Sequence, residues 1–233
     1  MKDYQAENLK LLKNDISAVC KRVGRDENEI TLVAVSKTFP AADIQRLYSA
    51  GQLDFGENKP QELKQKNEQL SKEDIRWHLI GQLQTNKVKY IADYVHLIHS
   101  VHSEKLADEI QRQAEKRSKI LDILVQVNTS GEEQKSGIGP ASAEKLCRYI
   151  ADLDNIRLKG LMTIGKFTED KNIIRENFKL LKNIFDELKT GFKDFKYLSM
   201  GMTDDFDIAI EEGSNMLRVG SAIFGNRNYT SVS

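Results

Sequence analysis

Cysteine, proline and tryptophan are scarce in this chain, at two, three and one in 233 residues. Cys20 and Cys147 fall in helix-like segments without motif spacing, which argues against a disulfide framework and for reduced thiols in a cytoplasmic protein. No stretch approaches the roughly 18 apolar residues of a membrane span. The opening "MKDYQAENLK" lacks the apolar core of a signal peptide. Neither sign of charge prevails: 35 Lys and Arg balance 35 Asp and Glu. No global field therefore draws the chain to nucleic acid or to an anionic membrane, and any bound anion must be held by a local site. Histidine is also sparse. His96, His99 and His102 are three apart, but "YVHLIHSVH" alternates as a strand does, and no carboxylate or cysteine joins them at a ligand spacing. No metal site is expected.

What is present is a regular alternation of apolar runs with amphipathic segments. Leu9, Leu12, Ile16 and Val19 mark an opening helix over residues 3–23, stopped by Gly24. Strands are expected at 31–36, 53–56, 75–81, 94–100, 120–128, 156–164, 196–201 and from 215. Helices are expected between them at about 41–50, 60–70, 84–92, 103–117, 141–151, 172–188 and 204–211. The charged segment "EKLADEIQRQAEKRSK" reads as a solvated helix face. Near-continuous apolar strands indicate a parallel sheet covered on both sides. Eight units in this length fit a single (β/α)8 TIM barrel with an extra N-terminal helix, one domain over residues 1–233. An open doubly wound sheet is the alternative that element order alone leaves open.

In a barrel the chemistry lies at the C-terminal ends of the strands. "TLVAVSKTFP" puts Lys37 there, where partial burial lowers the pKa of an amine and lets it attack a carbonyl. A surface salt bridge is the other use of such a lysine. "SMGMTDD" and "RVGSAIFG" set glycines beside hydroxyls at the last two βα turns, a pattern that suits phosphate. Thr203 as a simple N-cap and Gly220 as a simple tight turn are the structural alternatives. Asp204 and Asp205 would repel a phosphate and are expected to point away. Arg218 stands at the end of the eighth strand and keeps its charge. A Schiff-base lysine, a phosphate cradle and a fixed cation together fit pyridoxal 5′-phosphate (PLP).

The stretches "LVAVSKT", "FGEN" followed by "QE", "WHLIGQLQTNK", "KSGI", "LKGLMTI", "LSMGMTDDFDIAI" and "LRVGSAIFG" run in order from Thr31 to Gly225. On them the chain resembles the YggS/PROSC family of pyridoxal phosphate homeostasis proteins. The resemblance implies a barrel like the N-terminal domain of alanine racemase, with PLP held as an internal aldimine on Lys37. It implies phosphate contacts from Ser199 and Thr203 in "SMGMTDD" and from Gly220 and Ser221 in "RVGSA", with Gly201 and Met202 among the cofactor-binding residues. Arg218 matches the residue beside the ring nitrogen, and Asn58 and Met162 match residues lining the cofactor. Gln82 and Lys59-Pro60 depart from the common pattern near the mouth without removing a cofactor contact.

An arginine at the ring nitrogen leaves that nitrogen unprotonated and disfavours a carbanion on the ring. Racemases of similar architecture compensate with two opposed acid/base groups, a lysine and a tyrosine from an added domain. The chain ends at Ser233 soon after the last motif, and Tyr229 is a poor substitute for that tyrosine. The expectation is therefore a monomeric carrier or buffer of PLP in vitamin B6 homeostasis, without catalytic residues and without efficient turnover, which delivers to PLP-dependent apoenzymes. A racemase-like PLP enzyme and a partner-binding protein that signals PLP status are the alternatives.

Overall fold

A computed structural model describes residues 4–71, 74–132 and 134–225. Helix α1 (Tyr4–Arg22) buries Leu9, Leu12, Ile16, Val19 and Cys20, one stripe at three- and four-residue steps. Eight strands follow: β1 (Thr31–Val35), β2 (Asp54–Glu57), β3 (Arg76–Leu79), β4 (Val95–Val101), β5 (Leu121–Gln126), β6 (Ile156–Met162), β7 (Tyr197–Ser199) and β8 (Met216–Val219). Each runs parallel to the next, and β8 pairs with β1, so the sheet is a closed barrel. The open-sheet alternative is excluded.

The connections carry α2 (Ala41–Ser49), α3 (Pro60–Leu70), α4 (Glu104–Glu115), α5 (Ala143–Ala151), α6 (Lys171–Lys189) and α7 (Phe206–Glu211), and α8 (Ser221–Phe224) follows β8. One expected helix differs. After β3 the chain forms a 3-10 segment, Thr85–Tyr90, in place of an α-helix over 84–92. Thr85, Asn86, Val88 and Tyr90 are weak α-formers. Three residues per turn put Val88 and Ile91, both fully buried, on one side. Among the described residues, no helix is long and apolar enough to cross a membrane.

Strand alternation divides the core in two. Val33, Leu97, Leu124, Met162 and Met216 point inward and pack together as an apolar plug. Outward side chains such as Ala34, Phe55, Trp77, Ile98 and Val125 pack in the core shared with the helices. The plug closes the middle of the barrel and leaves a cavity above it, at the C-terminal ends of the strands.

Candidate functional site

The cavity has a volume of about 800 Å³. Val35 of β1, Gln126 of β5, Ile80 just after β3 and Ile164 just after β6 form walls, and Lys37, Asn58, Met202, Thr203, Arg218, Gly220 and Ser221 also face it. Gly81 is needed here for space: a Cβ would lie 2.4 Å from the carbonyl oxygen of Asn58, so backbone meets backbone at the rim.

Lys37 is half-buried in the turn that follows β1. Phe39 N–H closes this turn on the Ser36 carbonyl at 3.0 Å. Thr38 has φ 70°, which a β-branched residue rarely adopts. The turn is tied down from α3 and β2. Thr38 N–H donates to Glu62 Oε1 at 2.6 Å, and Ser36 Oγ donates to Glu57 Oε1 at 2.6 Å. Lys66 Nζ donates to the Ser36 carbonyl at 2.8 Å and to Glu57 Oε1 and Glu62 Oε1, each at 2.7 Å. Burial pushes the Glu57 carboxyl up to about 7 although Lys66 and Ser36 favour its charged form. On the cavity side, Phe39 stacks on Phe224 of α8 with ring centroids 4.7 Å apart, which couples the lysine turn to the turn after β8.

Arg218, 4% exposed, forms part of the cavity's floor. Nη1 donates to Ser199 Oγ at 2.7 Å, and Nη2 donates to the Thr163 carbonyl at 2.8 Å. Burial lowers its pKa to about 10, which still leaves a cation at neutral pH. Behind Ser199 a chain of buried groups crosses the barrel: His99 Nδ1 lies 3.1 Å from Ser199 Oγ, His78 Nδ1 2.9 Å from His99 Nε2, and Asp54 Oδ1 3.0 Å from His78 Nε2. Exposed Arg76 caps it by donating to both Asp54 oxygens. Burial pushes the Asp54 carboxyl up, but the hydrogen bonds from His78 and Arg76 outweigh that and hold it at about 2. Burial, with His78 and Arg218 nearby, keeps His99 well below the usual histidine range. Arg218 donates into this chain at Ser199, an ionised Asp54 accepts at its far end, and the two histidine rings link them.

Thr203 and Ser221 bring their hydroxyls within 2.9 Å of each other on the wall beside Gly220. Asp205 is buried off the cavity wall and accepts Met202 N–H at 2.5 Å, and α7 begins at the next residue, Phe206. Asp204 does not stay clear of the cavity as expected; it contributes to the wall. At the rim, Lys135 Nζ donates to the Gly165 carbonyl at 2.7 Å and pairs with Glu132 at 2.7 Å.

This architecture has relatives. Residues 8–228 match the family model described as alanine racemase, N-terminal domain. A pyridoxal phosphate homeostasis protein of Aquifex aeolicus is 42% identical over 224 residues, covering 96% of this chain and 98% of that protein. The chain belongs to the pyridoxal phosphate homeostasis protein family. A solved structure from Synechococcus elongatus, PipY with PLP bound, superposes with a TM-score of 0.83 at 31% identity, covering 95% of this chain and all of that one. Alanine racemase of Clostridium difficile, at 16% identity and a TM-score of 0.77 over 96% of this chain and 61% of that one, shares the barrel fold.

Of the family positions expected at the site, seven meet around one cavity: Lys37, Asn58, Met202, Thr203, Arg218, Gly220 and Ser221. Ser199, Gly201 and Met162 are not on its wall. Strand alternation turns Ser199 into the barrel, where its hydroxyl serves Arg218 and His99. Met162 belongs to the apolar plug. Gly201, at φ 97°, is required by packing, since a Cβ would lie 2.5 Å from that of Ala209. Tyr229 lies outside the described residues. Sequence reading missed the Asp54–His78–His99 chain and the Glu57–Glu62–Lys66 group. The signal was available in the inward parity of Asp54 and His78 and in the strand-end position of Glu57, but partners on other elements give it meaning.

Proposed function

We propose that this protein binds PLP covalently through Lys37 and acts as a carrier and buffer in PLP homeostasis, without efficient amino-acid turnover of its own. The residues fit the group by their chemistry. An amine, a pair of hydroxyls and a buried cation lie around one cavity and match an aldehyde, a phosphate and a ring nitrogen. PLP bound here would supply an electrophilic aldehyde carbon, and Lys37 is the residue that would hold it covalently, with water as the only product released. Thr203, Ser221 and the backbone at Gly220 bind the phosphate. Arg218 would donate to the ring nitrogen and, being a cation, would keep it unprotonated.

The observation that carries the non-catalytic reading is the fixed charge of Arg218, held by Ser199 and the Thr163 carbonyl, on a wall that among the described residues has no tyrosine to serve as an acid/base group opposite Lys37. Besides Lys37 and Arg218, the titratable groups on the described wall are Lys135 and Asp204, and Lys135 is already committed to Glu132 and Gly165. The names of the relatives, homeostasis proteins and not enzymes, agree with this reading. Incubation of purified protein with PLP should give a yellow product carrying one added cofactor on Lys37 by mass spectrometry after borohydride reduction, and Lys37→Ala should give neither. A panel of single amino acids should show no turnover near the enzyme median of about 10 per second. Turnover at that rate would establish a racemase-like enzyme, and a wild type that takes up no PLP would remove the reading altogether.

A further inference from the structure

The Ser36–Phe39 turn has a threonine where a glycine or asparagine belongs. A turn with positive φ at its third position is normally filled by a residue that tolerates that conformation. Thr38 does not, yet φ is 70° there. Left to itself, a β-branched residue would relax toward negative φ and carry Lys37 with it. Two contacts from α3 oppose this. Glu62 takes the Thr38 N–H, and Lys66 takes the Ser36 carbonyl, so both sides of Lys37 are held by side chains of one helix. Lys66, 5% exposed, directs donors to the Ser36 carbonyl, Glu57 and Glu62, a number that matches the three protons of an ammonium group. Glu57, fully buried at the end of β2, accepts from both Lys66 and the Ser36 hydroxyl. None of these three side chains faces the cavity. An apolar set would fill the space without the desolvation cost of two carboxylates and an amine. The arrangement thus does something other than fill space.

We propose that Glu57, Glu62 and Lys66 are positioning residues that clamp the Ser36–Phe39 turn in its strained conformation and so aim the Lys37 amine into the cavity. The inference rests on the reading of Lys37 as the cofactor-linking residue, but aiming an amine is a property of the protein without cofactor and can be measured there. Glu62→Leu removes the acceptor for Thr38 N–H, whereas Glu62→Gln keeps one. Thr38→Gly makes the same backbone conformation accessible without help.

The experiment reads two quantities for each folded variant: the rate at which Lys37 is acetylated by limiting acetic anhydride in cofactor-free protein, followed by peptide mass spectrometry, and the affinity for PLP from its absorbance. Glu62→Leu and Lys66→Met should change the Lys37 acetylation rate by at least fivefold relative to an exposed reference such as Lys145, and should weaken PLP uptake by at least tenfold. Glu62→Gln should stay within threefold of wild type in both. The double variant Thr38→Gly/Glu62→Leu should recover most of the loss, an outcome that a merely stabilising role for Glu62 would not produce. Lys66 is buried, so if Lys66→Met does not fold, the half-exposed Glu62 series decides. Unchanged Lys37 reactivity in Glu62→Leu, or no recovery with Thr38→Gly, would overturn the clamp. A wild type that acetylates normally but takes up no PLP would instead overturn the functional reading and leave the clamp to be judged on acetylation alone.

Discussion

Nη1 of Arg218 donates to the Ser199 hydroxyl at 2.7 Å, and this contact ties the cation below the cavity to a buried chain that ends at Asp54. A guanidinium with so little solvent depends on such partners, because a buried charge without them is costly. Ser199→Ala removes one acceptor from Arg218 and one partner from His99. The expected loss is about 2 kcal/mol of unfolding free energy, as for an orphaned bond to a charged group. Ser199→Thr, which keeps the hydroxyl, should lose less. Urea unfolding of the three proteins checks this, and an unchanged midpoint in Ser199→Ala would show that the serine carries no such role.

The two ends of the chain should be visible as acid sensitivity. Asp54 is held at about 2 against an ordinary 3.8, so its stabilisation is complete above pH 3.8 and is lost as pH falls toward 2. That loss amounts to about 2 kcal/mol. His99 lies well below 6.5, so below pH 6.5 the unfolded chain takes up a proton that the native state refuses, and stability declines there too. Asp54→Asn should remove the lower part of the acid slope, although it also costs stability at neutral pH. Unfolding free energies between pH 7 and 3 would show whether the slope is altered.

Glu57 has the opposite sign. Its carboxyl is raised from 4.5 to about 7, so the stability it contributes is complete below pH 4.5 and lost as pH rises through 7. Wild type should therefore lose stability between pH 5 and pH 8 through this group, and Glu57→Gln should narrow the difference. Equal differences in the two proteins would mean that Glu57 does not titrate in that window.

The hydroxyls assigned to phosphate offer a test by ligand comparison. Thr203→Val combined with Ser221→Ala removes two donors from the cavity wall. Affinity for PLP should fall at least about tenfold, since each bond to a charged group contributes roughly a kcal/mol or more. Affinity for pyridoxal, which lacks the phosphate, should change far less. Equal losses for both ligands would place the phosphate elsewhere.

Gly81→Ala tests the rim. Its Cβ would lie 2.4 Å from the Asn58 carbonyl oxygen, and the backbone of one loop must move to relieve that. Destabilisation of about 1–3 kcal/mol is expected from overpacking. Weaker PLP binding should accompany it, because Asn58 lines the cavity. Thermal unfolding with a binding titration checks both.

Much of the barrel is written locally. The apolar run from Leu32 to Val35 and the stripe Leu9, Leu12, Ile16 and Val19 identify a buried strand and a packed helix from spacing alone. Lys37, Thr203, Arg218 and Ser221 were legible as candidates at the barrel mouth, and they do line the cavity, because strand-end chemistry and family motifs lie in contiguous sequence. Spacing could not reveal that Ser199 serves Arg218 and His99 from inside the barrel, that Met162 packs in the plug, or that Lys66 reaches across from α3 to the turn after β1. Those roles are set by which side chains from distant elements come within about 3 Å of each other, where hydrogen bonds form. The sequence by itself determined eight alternating strand–helix units and the residue types at the strand ends, since periodicity and turn chemistry are local. Tertiary structure alone decided which of them share the cavity, which stand behind it, and what holds Lys37 in place, because hydrogen bonding and burial depend on distances that only closure of the barrel sets.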